Sequence, residues 1–144
     1  MSIRRLDHVN FLTNNADATI TFYCDVIGLK LGQNMSIDTA QTLYFYIDGV
    51  TQPVLHVGQE HISPDSDKFT RKANLAYENS GIFSTGSFDH FCLMIDLIDY
   101  DAYVDRLKKY GIEFQTYYHN DINLKQIWAI DPNGVRIELN FMDK

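Results

Sequence analysis

Asp7-His8-Val9-Asn10-Phe11 and Asp89-His90-Phe91-Cys92-Leu93 open two stretches of the chain that continue alike. The first runs through a helical pattern to Gly28-Leu29-Lys30-Leu31, the second to Gly111-Ile112-Glu113-Phe114. From His to Gly is 20 residues in one stretch and 21 in the other. An alternating strand, a helical stripe and a glycine stop, used twice, describe a duplicated strand–helix–strand unit. Duplication of that kind brings two equivalent imidazoles together across a pseudo-twofold axis, which suits a metal site.

Working outward from these stretches, residues 3–12 alternate, with Leu6, His8 and Asn10 on one face and Asp7, Val9 and Phe11 on the other. Asn14-Asn15 offer an N-cap, and Ile20, Tyr23, Val26 and Ile27 form the apolar stripe of a helix that Gly28 ends. Strands are expected near 29–35, 41–48 and 52–58, with a turn at Asp48-Gly49. The second half repeats the order: a strand at 87–96, a helix from about Asp99 to Tyr110, and strands near 112–119, 124–130 and 135–142. Asp131-Pro132-Asn133-Gly134 is a strong turn signal that makes the last two strands a hairpin and sets their register. Residues 59–86 lack strand periodicity and carry Pro64, Asp65, Ser66 and Asp67, as a lid or a plain connection would. The expected organisation is a single domain over 1–144, with one module at about 1–58 and a second at about 87–144.

Strand parity separates the polar side chains from the apolar ones. His8 opposes Val9 and Phe11, His56 opposes Leu55 and Val57, His90 opposes Phe91, Leu93 and Ile95, and Glu138 opposes Ile137, Leu139 and Phe141. The apolar sets can pack under helices while the four potential ligands point to the other face, where a curved sheet would gather them into one concavity.

A chain of 144 residues buries a real core without staples, and 45% hydrophobic with 22% charged residues is ordinary for a globular protein. The formal net charge of −7 argues against nucleic acid and anionic membrane surfaces as partners. No apolar run reaches the roughly 20 residues of a membrane span. Residues 1–6 enter a strand pattern directly, without a signal-peptide core, so a cytoplasmic protein is expected. Cys24 and Cys92 form no CxxC pair and are expected to be buried free thiols.

The paired Asp-His strands, Phe22-Tyr23 before Gly28-Leu29-Lys30-Leu31, and the closing Asp131-Pro132-Asn133-Gly134-Val135-Arg136-Ile137-Glu138-Leu139 resemble the vicinal oxygen chelate superfamily. That superfamily includes glyoxalase I, methylmalonyl-CoA epimerase, fosfomycin and bleomycin resistance proteins, and extradiol ring-cleavage dioxygenases. The resemblance spans nearly the whole chain except 59–86. It implies an α+β fold of paired βαβββ modules, forming a curved, mostly antiparallel sheet around a metal-binding cavity. Carried over by position, it implies His8, His90 and Glu138 as ligands of a divalent ion. Two imidazoles and one carboxylate leave open positions, as in non-haem Fe(II) oxygenases, so Fe(II) is preferred; Mn, Ni, Co or Zn also suit the set.

The resemblance also implies roles for other residues. His56 occupies a strand position that holds a metal ligand in glyoxalase-like members and an acid/base His in extradiol dioxygenases. A near-neutral imidazole suits the second task, and the alternative of a fourth ligand stays open. His119, 19 residues before Glu138, matches a His beside the substrate hydroxyl of extradiol enzymes. Where those enzymes usually hold a Tyr ten residues before the Glu, this chain has Trp128, which can donate but neither accepts nor titrates. Trp128, Tyr44 and Tyr46 are candidate pocket walls, packing being the ordinary alternative; for Arg136 an ion pair is the ordinary role. An extradiol-type dioxygenase acting on a small catechol-like substrate with vicinal oxygens is the preferred expectation. A glyoxalase- or epimerase-like lyase or isomerase is the alternative, and a non-catalytic binding protein of the bleomycin-resistance type a further one. A homodimer is expected on the resemblance.

Overall fold

A computed structural model describes residues 4–32, 42–59 and 88–143 of the chain. The two modules are built alike. Strand β1 (Val9–Thr13) leads into α1 (Ala16–Ile20), which continues without a break as a π-helical segment, Thr21–Val26. Strands β2 (Lys30–Gly32), β3 (Thr42–Tyr46) and β4 (Leu55–Gln59) follow. The second module has β5 (His90–Asp96), a 3₁₀ turn at Leu97–Asp99, α2 (Tyr100–Lys109), β6 (Phe114–His119), a 3₁₀ turn at Asn120–Ile122, β7 (Leu124–Ile130) and β8 (Arg136–Met142).

Hydrogen bonding divides the strands into two four-stranded sheets, ordered β1-β4-β3-β2 and β5-β8-β7-β6. Each combines one parallel pair with two antiparallel pairs, so the mostly antiparallel character holds while the single sheet expected from sequence is two. Both β1–β4 and β5–β8 are parallel because a helix and two strands intervene, the crossover that parallel pairing requires.

The helices end as the duplicated glycines dictate. Gly28 and Gly111 have φ of 90° and 66°, and beyond each glycine Leu29 N–H bonds back to Tyr23 O and Ile112 N–H to Leu107 O. At the start of α1 the Asn15 side chain accepts from Ala18 N–H at 3.1 Å, while Thr13 Oγ1 accepts from Asn15 N–H. The apolar strand faces and both helices share one core. Phe22, Tyr23, Val26, Phe45, Leu55 and Val57 from the first module meet Leu107, Ile127, Ile137, Leu139 and Phe141 from the second, all nearly inaccessible. Full burial of one such aliphatic or aromatic side chain contributes roughly 1.5–3 kcal/mol.

Boundaries moved where backbone bonding, rather than pattern, decides. The first strand begins at Val9, so His8 sits just before it; the fourth spans Leu55–Gln59. The part of the expected second strand beyond Gly32, and nearly all of the expected linker at 59–86 with His61, lie outside the described residues. Cys92 corrects an expectation. It is exposed, because β5 parity places it on the polar face with His90 and Met94, while Cys24 is half-buried. Both thiols are free. No helix among the described residues is long and apolar enough to cross a membrane.

Candidate metal centre

Each module presents its histidine in the same way. Asp7 Oδ2 lies 2.9 Å from His8 Nδ1, and Asp89 Oδ2 lies 2.6 Å from His90 Nδ1. A carboxylate on Nδ1 fixes the tautomer and leaves the Nε2 lone pair outward, the usual support of a metal-binding imidazole. The hydrogen bond from His8 holds the Asp7 carboxyl below its ordinary range, and those from His90 and Arg136 do the same for Asp89. Sequence pattern identified the two histidines; the adjacent aspartates as their orienting partners were visible only as a repeated dipeptide.

On the second sheet two of the expected ligands meet. His90 Nε2 is 3.0 Å from Glu138 Oε2, and Glu138 is almost buried. The other carboxylate oxygen accepts from Gln126 Nε2, which also donates to Asn140 Oδ1 at 2.8 Å. Gln126 Oε1 in turn lies 2.9 Å from His119 Nε2. Trp128 stands edge-on to His90 with ring centroids 4.7 Å apart, and Arg136 lies over the indole at 4.8 Å while pairing with Asp89. The expected ion pair for Arg136 is therefore present. Register accounts for the convergence. Trp128 pairs with Glu138 and Gln126 with Asn140 across β7–β8, Tyr117 pairs with Gln126 across β6–β7, and Cys92 pairs with Glu138 across β5–β8.

On the first sheet His8 and His56 stack, with centroids 3.8 Å apart and planes at 15°, and Tyr44 stands edge-on to His56 at 4.8 Å. His56 Nε2 is buried with no hydrogen-bond partner. Burial, and then the neighbouring His8, lower the His56 pKa below its ordinary value, so the ring is neutral at neutral pH. Tyr46, on β3, packs over Gly32 of the edge strand β2, where a Cβ would be 2.7 Å from its ring.

The side chains thus form two groups, His8 with His56 and His90 with Glu138. Among the described residues no three His, Cys, Asp or Glu side chains form a group able to hold a metal ion. Beside the second group opens a cavity of about 680 Å³, bordered by Gln115, Tyr117, His119, Gln126, Trp128 and Arg136 on its polar side, with Ile112 and Phe114 among its apolar residues. Of the residues expected to wall a pocket, Trp128 borders this cavity; Tyr44 and Tyr46 belong to the other sheet. Gln126 had no signal beyond sharing the parity of Trp128 and Glu138, because a glutamine on a strand ordinarily reads as a solvated position.

The fold has many relatives of known structure. A glyoxalase/dioxygenase from Nostoc punctiforme superimposes with a TM-score of 0.69 at 16% identity, over 98% of this chain and 92% of that one. A glyoxylase/bleomycin resistance protein/dioxygenase domain from Frankia sp. EAN1pec gives 0.68 at 16%, over 99% and 95%. The fosfomycin resistance protein FosX from Listeria monocytogenes, described with Mn(II) and 1S,2S-dihydroxypropylphosphonic acid, gives 0.65 at 15%, over 98% and 92%. Among curated proteins no sequence matches. Residues 5–139 match the family model of the Glyoxalase/Bleomycin resistance protein/Dioxygenase superfamily, and the chain belongs to that family.

Proposed function

We propose that this chain is a divalent-metal enzyme that takes a small substrate through two adjacent oxygens, with His8, His90 and Glu138 as the ligands. The observation that carries the reading is the pair of Asp–His dyads, one per module, the second already 3.0 Å from Glu138. The donor set fits the ion: two oriented imidazoles and a carboxylate suit Fe(II) above all, and Mn, Co, Ni or Zn by geometry. The Mn(II) in FosX supports a divalent ion in this fold.

One chain brings only part of the set together, and a homodimer accounts for the rest. In a twofold dimer, His8 of one copy meets His90 and Glu138 of the other, and the reciprocal contact builds a second, identical centre. The dyads belong on the solvent-facing sides of their sheets, away from the shared core, so a second copy can reach them. The side chains of His8 and His90 keep 36% and 31% of their exposure.

Within the family's chemistries we favour extradiol-type dioxygenation of a catechol-like ring. When bound, Fe(II) supplies Lewis acidity toward a substrate hydroxyl and a common anchor for both reactants. The chain's own residues supply the rest. Trp128 offers a flat wall to a ring, Arg136 a positive charge above it, His119 a hydrogen-bonding group at the cavity, and neutral His56 a proton acceptor beside His8. A lyase or isomerase reading, with His56 as a fourth ligand, draws on its buried and unpartnered Nε2. The stacking argues against it. Two imidazole planes 15° apart and 3.8 Å between centroids cannot both contain one ion. A binding protein without metal is the third reading, and metal content alone separates it.

The test is anaerobic reconstitution with Fe(II), then oxygen uptake against a panel of catechols and hydroquinones. Uptake with at least one of them is expected. Stoichiometric metal without uptake moves the assignment to the isomerase reading, and no metal at all to the binding protein.

A further inference from the structure

Gln126 sits between the carboxylate assigned to the metal and the histidine at the cavity, and its amide has two unlike ends. Glu138 Oε1 and Asn140 Oδ1 lie on one side of it, and His119 Nε2 on the other. An ionised carboxylate only accepts, so the NH₂ end must face Glu138, and Asn140 takes the second of its two protons. The carbonyl end is then turned to His119. A carbonyl oxygen only accepts, so His119 Nε2 must carry the proton. In a neutral imidazole this makes Nδ1 the lone-pair nitrogen. Among the described residues Nδ1 has no hydrogen-bond partner, and His119 borders the cavity of about 680 Å³.

We propose that Gln126 is a positioning residue that fixes His119 as its Nε2–H tautomer, so that Nδ1 is the atom that accepts a proton or hydrogen bond from a ligand in the cavity. The same amide occupies Glu138 Oε1, which leaves Oε2 as the oxygen presented beside His90 Nε2. One uncharged side chain thereby sets the donor–acceptor sense of two groups on opposite sides of it. A glutamine does this where a carboxylate would not, because a second negative charge beside Glu138 in a nearly buried position is disfavoured. The role in turnover rests on the functional reading above; the tautomer does not.

The test separates the two. Long-range ¹H–¹⁵N correlation spectra of the metal-free, ligand-free protein, at a pH where His119 is neutral, report the protonated nitrogen of each imidazole. The wild type is expected to show His119 protonated at Nε2. Gln126→Leu, or Gln126→Met if the leucine variant does not fold, is expected to shift that signal toward a mixture of tautomers, as in a free imidazole. His119 protonated at Nδ1 in the wild type, or an unchanged signal in the folded variant, overturns the proposal. In the reconstituted enzyme the same variant is expected to lose about ten- to a hundredfold in kcat, with KM nearly unchanged. An unchanged kcat in an active enzyme overturns the role in turnover. A failure of the oxygen-uptake assay would fall on the functional reading and leave the spectra to decide the tautomer.

Discussion

The Tyr23 hydroxyl, on the helix of the first module, donates to Asp131 Oδ2 at 2.9 Å across 108 residues of chain. Asp131 opens the turn of the last hairpin and is buried. Its Oδ1 accepts from Asn133 N–H and Val135 N–H, and its Oδ2 also accepts from Asn133 Nδ2, which bridges on to Thr19 of α1. Burial raises the Asp131 pKa against the lowering effect of these donors. The network ties the Asp-Pro-Asn-Gly turn to the opposite module and so fixes where the β8 strand, and Glu138 on it, stands relative to β1.

Tyr23→Phe is expected to cost about 1.5–3 kcal/mol at neutral pH, since it leaves a buried carboxylate short of one donor. The pH dependence has a definite sign. Burial and Asp131 raise the Tyr23 pKa well above 10.0, so the folded chain holds this proton more tightly than the unfolded one. Stability from this group is complete below pH 10 and is lost as pH rises through the folded value. Urea titrations of the wild type and Tyr23→Phe at pH 8 and above 10 should therefore show the gap between them narrowing.

Gly28 and Gly111 both occupy left-handed backbone, but their surroundings differ. A Cβ at Gly28 would meet Arg106 Nη1 at 3.2 Å, whereas at Gly111 nothing lies within 4 Å. Gly111→Ala is expected to cost about 1–2 kcal/mol from backbone strain alone. Gly28→Ala should cost more, because its φ of 90° lies further from the alanine-accessible left-handed well and Arg106 must give way. Chemical denaturation of both variants checks the order.

Trp128 is the only tryptophan of the chain, and its ring lies 4.7 Å from that of His90. Its fluorescence should report occupancy of the centre. Paramagnetic Mn(II) or Co(II) is expected to quench it on titration, Zn(II) to change it much less. In His90→Ala the quenching should vanish at the same concentrations.

Removing the aspartate from a dyad should loosen the ion without unfolding the chain. Asp89→Asn is expected to weaken metal binding by about 10- to 100-fold, the usual effect of losing the partner that orients a ligating imidazole. Calorimetric titration with Mn(II) measures it. An unchanged affinity would mean that Asp89 serves Arg136 rather than His90.

Much of this was readable from residue order, for identifiable reasons. Alternation with period two placed His8, His56, His90, Trp128 and Glu138 on the faces opposite the core, since burying Val9, Leu55, Phe91 and Ile137 leaves them no other side. The glycine stops and the Asp-Pro-Asn-Gly turn were legible because few residues tolerate those backbone angles. Exposure of Cys92 follows from its parity with His90; the apolar neighbours that suggest burial, Phe91 and Leu93, belong to the other face. The split into two sheets, and the pairing of His8 with His56 instead of with His90, depend on how the modules pack. Periodicity carries no information on that. Gln126 carries no signal beyond its parity, because its role exists only through three partners on two other strands, His119 on β6 and Glu138 and Asn140 on β8.

If His8 and Glu138 from different copies share one ion, two chains that each lack one of these ligands should restore a centre when mixed. Purified His8→Ala and Glu138→Ala chains, each expected to bind no metal with measurable affinity, are unfolded together, refolded at equal amounts and titrated with Mn(II). In a mixed dimer one centre lacks both ligands and the other has all three. The mixture should therefore recover about one ion per four chains, against about one per chain for the wild type. No recovery in a mixture that contains mixed dimers, or full binding by either variant alone, would contradict the account.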